Sequence, residues 1–567
     1  MATKKKIISE KEKFLNWKIL LIIAVCFIAF IPSLKNDFVN WDDIVYIMNN
    51  DMITTFSWLN LQKMFSSFFM GNYHPLILLS FSFDFHLFQF DAHGYHVHNL
   101  VLHMINTFLV YMFFFNLMKK NINVSATIAL LFAIHPMHVE SVAWVSERKD
   151  LLYTAYFMLS LIAYLRYLNK GKSSFYFLSL LFFIFSLLSK AQAVTLPLVL
   201  FLSDYLLSRK FEWKNLLEKI PFLVLSLIFG ITAVFAQKAN GFLNPLDIPV
   251  YQSLFYAPYG VCIYLFKFVL PVYQTAVYIY PTTLAGEVPF YIYFSPIILI
   301  FVAIAIWKTW KNTRYITFGL LFFLTTILPV LQFLPVGPAV VSERYTYIPY
   351  LGLAAIVAIL FWEKIPAMEV RWRNIFKAGA SLLILILIIL TWNRNLVWRD
   401  SVTLWTDVME KNPRCISAYI NRAFIFNEQK QYDEALQDCT DGLKIDSTNF
   451  TLYKNRGIAY GIIGKHGLAL SDYSSAIKYN PNDYDSYLYR GILLTDKFAK
   501  HDSAISDFKK YLSHSPDNLN ATFNLIVANY NKGSFDSARV YCLKVIALDP
   551  GNAQARQLLE TIDKLKP

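Results

Sequence analysis

Eleven apolar runs, each close to the roughly 20 residues a helix needs to cross a bilayer, occupy the first two thirds of this chain. They fall at about 17–34, 95–118, 124–142, 150–168, 175–190, 192–207, 220–236, 291–307, 315–334, 349–363 and 375–392. In hydrocarbon the backbone must satisfy its own N–H and C=O groups, so runs of this length are expected to be helices. The expected class is all-α and polytopic. A chain that is 56% hydrophobic and only 16% charged is too apolar for an ordinary soluble globule. After about residue 395 the composition turns polar, so a soluble domain should follow the membrane part.

The net charge of +13 does not point to nucleic acid, because Lys and Arg lie mainly in short loops between the apolar runs. Those loops set the orientation. With the N-terminus cytoplasmic and segment 253–270 re-entrant or interfacial, Lys119-Lys120, Lys170 and Lys172, Arg209-Lys210-Lys214, Lys308-Lys311-Arg314 and Arg371-Arg373-Lys377 all fall inside. Counting 253–270 as a crossing moves the last two clusters outside. The polar C-terminal part is then extracytoplasmic, as for a protein of a bacterial inner membrane or its equivalent. Lys4, Lys5 and Lys6 precede the first run without an A-x-A-like cleavage site, which favours a retained helix over a signal peptide. The five cysteines form no CxxC pair, so neither a zinc site nor a disulfide framework is indicated.

The C-terminal part repeats with a period of about 34 residues, at 416–449, 450–483, 484–518 and 519–552. Ala435, Ala469, Ala504 and Ala538 recur, as do Asn421-Arg422-Ala423, Asn455-Arg456-Gly457 and Tyr489-Arg490-Gly491, and Pro481, Pro516 and Pro550 close three units. These are the marks of tetratricopeptide repeats, helix pairs that stack into an α-solenoid able to bind peptides or proteins. The expected domains are a membrane domain at 1–394, a linker with a half-repeat helix at 395–415, and four repeats with a capping helix at 416–567.

The polar residues of the membrane part converge on its outer side. Asp42 and Asp43 follow the first run, and adjacent carboxylates there should face a wet cavity, bind a cation or handle a proton. His74 lies in the same outer loop, which should carry short interfacial helices between 52 and 90. His96, Asn99 and His103 share one helical stripe that must face a cavity or another helix. His135, His138, Glu140 and Ser146-Glu147-Arg148-Lys149-Asp150 join the third and fourth runs; Lys190 ends the fifth; Glu343-Arg344 follows the ninth. Each has a plainer reading: headgroup snorkelling for Glu147–Asp150, an internal ion pair for Glu343-Arg344, interhelical bonding for the His96 stripe. No further ligand completes a zinc spacing with His135 and His138, and a metal is left open.

The segments Phe38-Val39-Asn40-Trp41-Asp42-Asp43, Tyr73-His74-Pro75-Leu76, Tyr95 to His103, His135 to Glu140, Arg148 to Leu152 and Glu343-Arg344-Tyr345 resemble those of the transmembrane and tetratricopeptide repeat-containing O-mannosyltransferases. The resemblance covers most of the chain. It departs at His74, where the family has a Tyr-Arg-Pro-Leu-like segment, and in having fewer repeats than the animal members. It implies a GT-C-type glycosyltransferase fold, a polyprenyl-phosphate sugar as donor, and Asp42 or Asp43 as catalytic acid/base residue.

Arg148, Lys190 and Arg344, with Glu343 and His138, are then the candidates around the donor phosphate and sugar. His74, His96, Asn99, His103, His135, Glu140 and Asp150 would line the cavity or meet the acceptor. The expected reaction is transfer of a hexose, mannose by the resemblance, to Ser or Thr hydroxyls of proteins held by the repeats. A lipid or surface-glycan acceptor is one alternative, and a non-enzymatic repeat scaffold or transporter is another; the latter should show midplane charges and paired broken helices, which the sequence lacks.

Overall fold

The computed structural model describes residues 16–210, 212–242, 249–282, 287–333, 335–337 and 339–565. Lys4, Lys5 and Lys6 lie outside the described residues. The chain divides into two compact units, Met1–Asn412 and Pro413–Pro567.

In the first unit every one of the eleven apolar runs contains a helix: α1 (Trp17–Phe30), α3 (Ala92–Leu117), α4 (Ile122–Ile134), α5 (Arg148–Lys170), α6 (Ser173–Leu187), α7 (Leu196–Leu206), α8 (Ile220–Ala239), α10 (Pro296–Thr309), α11 (Arg314–Ile327), α12 (Tyr350–Lys364) and α13 (Val370–Val397). Two more apolar helices appear between them, α2 (Pro75–Phe88) and α9 (Val250–Val269), the latter with Pro258 inside it. α2 follows two short helices, Asp51–Thr54 and Trp58–Ser66, in the loop where interfacial helices were expected.

The eleven helices are unequal in length. Among the described residues seven helical stretches are long and apolar enough to cross a membrane, and the pair Ile122–Ile134 with Pro136–Ala143 makes an eighth if taken as one span. That pair bends by 59° at His135-Pro136. Proline lacks the N–H that would continue the ladder and drives His135 into an extended conformation. α6, α7 and α11 are shorter, because the chain breaks near Lys190, Pro197 and Pro329 and turns into the polar interior.

α3 and α5 are the most enclosed helices and pack on each other, with α4 and α6 against them. α8, α10 and α13 are mostly outward-facing and apolar, as lipid-exposed helices must be. Small residues permit the closest approach: a Cβ on Gly352 would lie 2.3 Å from the Gly319 carbonyl oxygen, so α11 and α12 touch backbone to backbone. Two short strands, Tyr278–Ile279 and Ala339–Val341, pair antiparallel beside the site described below. After α13 comes a polar helix, α14 (Ser401–Lys411), capped by Asp400, whose side chain accepts from the Thr403 N–H. α14 falls within the first unit and packs on α13.

The second unit is the solenoid. Its helix pairs, Ile416–Glu428 with Tyr432–Ile445, Phe450–Ile462 with His466–Tyr479, Tyr484–Asp496 with His501–Leu512, and Leu519–Asn531 with Phe535–Leu548, match the repeat period, and Ala553–Leu565 closes the array. The four recurring alanines are fully buried between paired helices. In the first three units an arginine of the first helix bridges to an aspartate of the second: Arg422–Asp438 at 2.6 Å, Arg456–Asp472 at 2.8 Å and Arg490–Asp507 at 2.8 Å.

Candidate active site

The site is built where the chain leaves α1. A 3-10 turn at Ile31–Lys35 ends the helix, the chain runs extended, and a turn at Asn40-Trp41 delivers Asp42 and Asp43 into a π-helical turn, Ile44–Met48. The two aspartates part company at once. Asp43 is buried, with one oxygen accepting the Ser146 N–H at 2.9 Å and the Ser146 hydroxyl at 2.5 Å and the other accepting the Val39 N–H at 3.0 Å. It fastens its loop to the turn before α5. Burial nevertheless pushes its carboxyl up to about 6. The Asp42 side chain is 23% exposed and lies 3.7 Å from Lys149 Nζ. Burial raises its pKa too, while the charge on Lys149 draws it back.

From Asp42 a chain of charges runs inward. Lys149 Nζ is 3.2 Å from Glu147; Glu147 also meets Lys190 Nζ at 3.3 Å and Arg344 Nε at 3.4 Å; Lys190 reaches Asp150 at 2.8 Å. Arg344 binds Glu140 through its guanidinium and through its own N–H, at 3.1 Å for the latter, and its guanidinium lies over the Trp144 and Tyr345 rings. Opposed charges at this spacing in a low-dielectric surround hold each other far more strongly than surface pairs do. Of these cations Lys190 is the one that opens onto a cleft of about 300 Å³, whose wall is made by Gly230, Ala233 and Gln237 of α8, by Leu331 and by Tyr345. A second cavity of about 10 Å³ adjoins it, lined by Asn72, His74 and Lys190. Asp42 is not among the lining residues of either; the Lys149–Glu147–Lys190 chain places it on the same side of the protein.

His74 is buried at the edge of this cleft, its Nε2 has no hydrogen-bond partner, and burial together with the charge on Lys149 holds its pKa well below the usual imidazole range.

The family model described as tetratricopeptide repeat matches residues 499–562. A protein O-mannosyl-transferase of Caenorhabditis elegans is 25% identical over 469 residues, 77% of this chain and 64% of that protein. Protein O-mannosyl-transferase TMTC3 of Homo sapiens is 24% identical over 478 residues, 74% of this chain and 50% of its own length. The chain is a relative of these protein O-mannosyl-transferases. It spans between a half and just under two thirds of the length of these two. A solved tetratricopeptide repeat protein from Parabacteroides merdae is 22% identical, covering 30% of this chain and 66% of that one with a TM-score of 0.26.

Several residues grouped at the donor by sequence lie away from the cleft. Arg148 is wholly buried: Asp84 lies 2.5 Å from its Nη1, Asn99 accepts from its Nε at 2.7 Å, and the Tyr95 carbonyl accepts from its Nη2 at 3.2 Å. It is buried among these groups and lines neither of the two cavities above. His138 is enclosed by Phe132, Tyr347 and Tyr350, with Nδ1 2.8 Å from the Phe132 carbonyl oxygen. Glu343 points away from the cleft to Arg394, 3.2 Å away, and accepts from the Tyr278 hydroxyl at 2.9 Å.

The stripe of His96, Asn99 and His103 is buried against other parts of the protein. His96 Nε2 lies 3.4 Å from the Asp37 carbonyl oxygen, Asn99 donates to the Val142 carbonyl at 3.2 Å, and His103 Nδ1 lies 2.6 Å from the Tyr347 hydroxyl. His135 stacks on Phe268, with ring centroids 5.7 Å apart. Among the described residues no group of three or more His, Cys, Asp or Glu is arranged to hold a metal ion.

Sequence reasoning left three buried charged residues without a role. Glu147, at the centre of the charge chain, and Lys149, beside Asp42, belong to a run that also reads as a headgroup-facing patch. Asp84, the counter-ion of Arg148, carries a signal that was there to find: a lone carboxylate in an apolar helix must be paired.

Proposed function

We propose that this chain is a membrane glycosyltransferase that moves a hexose, mannose by its relatives, from a polyprenyl-phosphate donor to serine or threonine hydroxyls of proteins outside the cytoplasm. The observation that carries the proposal is the charge chain joining a partly exposed carboxylate, Asp42, to Lys190, the cation at the polar end of a cleft whose other wall is an outward-facing apolar helix. A lipid-linked phosphate has that same duality. Its tail lies against α8 in hydrocarbon while its phosphate meets the Lys190 ammonium.

In the step itself the acceptor oxygen attacks the anomeric carbon from the face opposite the phosphate, the bond from that carbon to the phosphate oxygen breaks, and the configuration inverts. Asp42 takes the hydroxyl proton. The negative charge that grows on the departing phosphate is met by Lys190, already fixed by Glu147 and Asp150 and so needing no reorganisation. Arg344 and Lys149 hold Glu147, and Asp43 holds the loop, so all three act through other groups. In this reading all eleven apolar runs cross, the cluster and the repeats are extracytoplasmic, as the bias of basic loops supports, and the solenoid presents the acceptor protein.

The purified protein in lipid nanodiscs, given a radiolabelled polyprenyl-phosphate hexose and an acceptor protein, should transfer label, and Asp42→Asn should lower the rate at least about a hundredfold. Transfer by Asp42→Asn at the native rate would remove Asp42 from the chemistry. Label appearing only in lipid or glycan would replace the acceptor.

A further inference from the structure

The loop that carries Asp42 is held by the segment that follows the last long helix. The Asp37 N–H donates to the Arg399 carbonyl at 2.8 Å, the Asn40 N–H donates to the Ser401 hydroxyl at 2.8 Å, and the Trp405 indole N–H donates to the Asn40 side-chain oxygen at 2.7 Å. The Trp41 ring is flanked by Trp144, stacked at 4.4 Å, and by Trp405 at 5.2 Å, with Trp398 stacked on Trp144 at 5.6 Å. Trp144, Trp398 and Trp405 are fully buried. The same segment is fixed from its other side: Arg394 joins Glu343 to Asp407 at 3.2 and 3.1 Å, and the Asn412 side chain donates to the Val277 carbonyl at 2.9 Å. A loop of this kind, with no regular ladder of its own, takes its conformation from such outside bonds.

We propose that residues 398–411 form a clamp that positions Asp42, with Ser401 and Trp405 as positioning residues for proton transfer. The proposal rests on the reading of Asp42 given above, and part of its test does not. Trp405→Phe keeps an aromatic ring in the stack while removing the N–H to Asn40 with the rest of the indole; Ser401→Ala removes only the acceptor for the Asn40 N–H. Both hydrogen bonds are side chain to loop, so their loss frees the loop without opening the helices that surround it.

Hydrogen exchange on the full-length protein in nanodiscs should show amides 37–43 exchanging at least about tenfold faster in each variant, with α3 and α5 unchanged. In the transfer assay the maximal rate should fall about ten- to a hundredfold while the KM for the polyprenyl-phosphate hexose stays at the native value. Unchanged exchange at 37–43 would overturn the clamp whatever the activity. So would faster exchange spread over α3 and α5, or a loss confined to KM. If the unmodified protein transfers no sugar, the functional reading falls and the exchange result alone decides the clamp.

Discussion

At the scale of the residue, two neighbours of one chemical type are given different work by what lies around them. Asp43 spends both oxygens on donors of its own protein, whereas Asp42 is 23% exposed and is ion-paired to Lys149. Asp43→Asn should therefore cost stability, about 1–3 kcal/mol for the charge-assisted bonds it weakens. A lowered melting temperature of the purified protein checks this. For Asp42 the pH sign is definite. Only the ionised carboxylate can take a proton, and burial raises its pKa above the ordinary aspartate value. The transfer rate should fall as pH drops through that raised value, on an acid limb lying above 3.8, and Asp42→Asn should lose that limb with its activity. Sequence exposed the pair but could not split it, since Ser146, which binds Asp43, is 103 residues away.

At the scale of the element, α8 is the helix whose face decides access to the cleft. A Cβ on Gly230 meets nothing within 4 Å, and Ala233 lines both cavities. Ala233→Trp should occlude the groove, and the KM for the lipid-linked donor in nanodiscs should rise about tenfold or more while the melting temperature changes little. Gly352 is the reverse case. A methyl group there strikes the backbone of α11 at 2.3 Å with no side chain free to yield, so Gly352→Ala should destabilise by about 1–3 kcal/mol, read as a lower melting temperature and yield. The helices themselves were legible from apolar length. Their unequal spans were not, because composition does not reveal that a helix stops early to bring Lys190 to a cluster.

At the scale of the whole molecule, the chain is a membrane unit and a repeat unit that divide at Asn412 and Pro413. The arginine–aspartate bridge recurs in three repeats, while Leu525 and Tyr541 stand at the matching positions of the fourth. Stacked repeats add their stabilities through neighbouring interfaces. Arg456→Ala, in the second unit, should therefore loosen its neighbours as well, and hydrogen exchange should rise in helices 416–428 and 484–496 along with 450–462. If the solenoid presents acceptors, the same variant should slow transfer to a folded protein acceptor while leaving a short serine peptide unaffected.

The sequence by itself determined what depends on local pattern. Apolar length made the membrane helices, a 34-residue period made the solenoid, and the cost of charge in hydrocarbon marked which residues had to find partners. The tertiary structure decided which partner each one found: Arg148 went to Asp84 and into the interior, Lys190 to the cleft, and Asp43 to Ser146, leaving Asp42 open. The reason is physical. A buried charge is stabilised by whatever opposite charge comes within a few ångströms, and that proximity arises from helices far apart in sequence packing together, which no local pattern encodes.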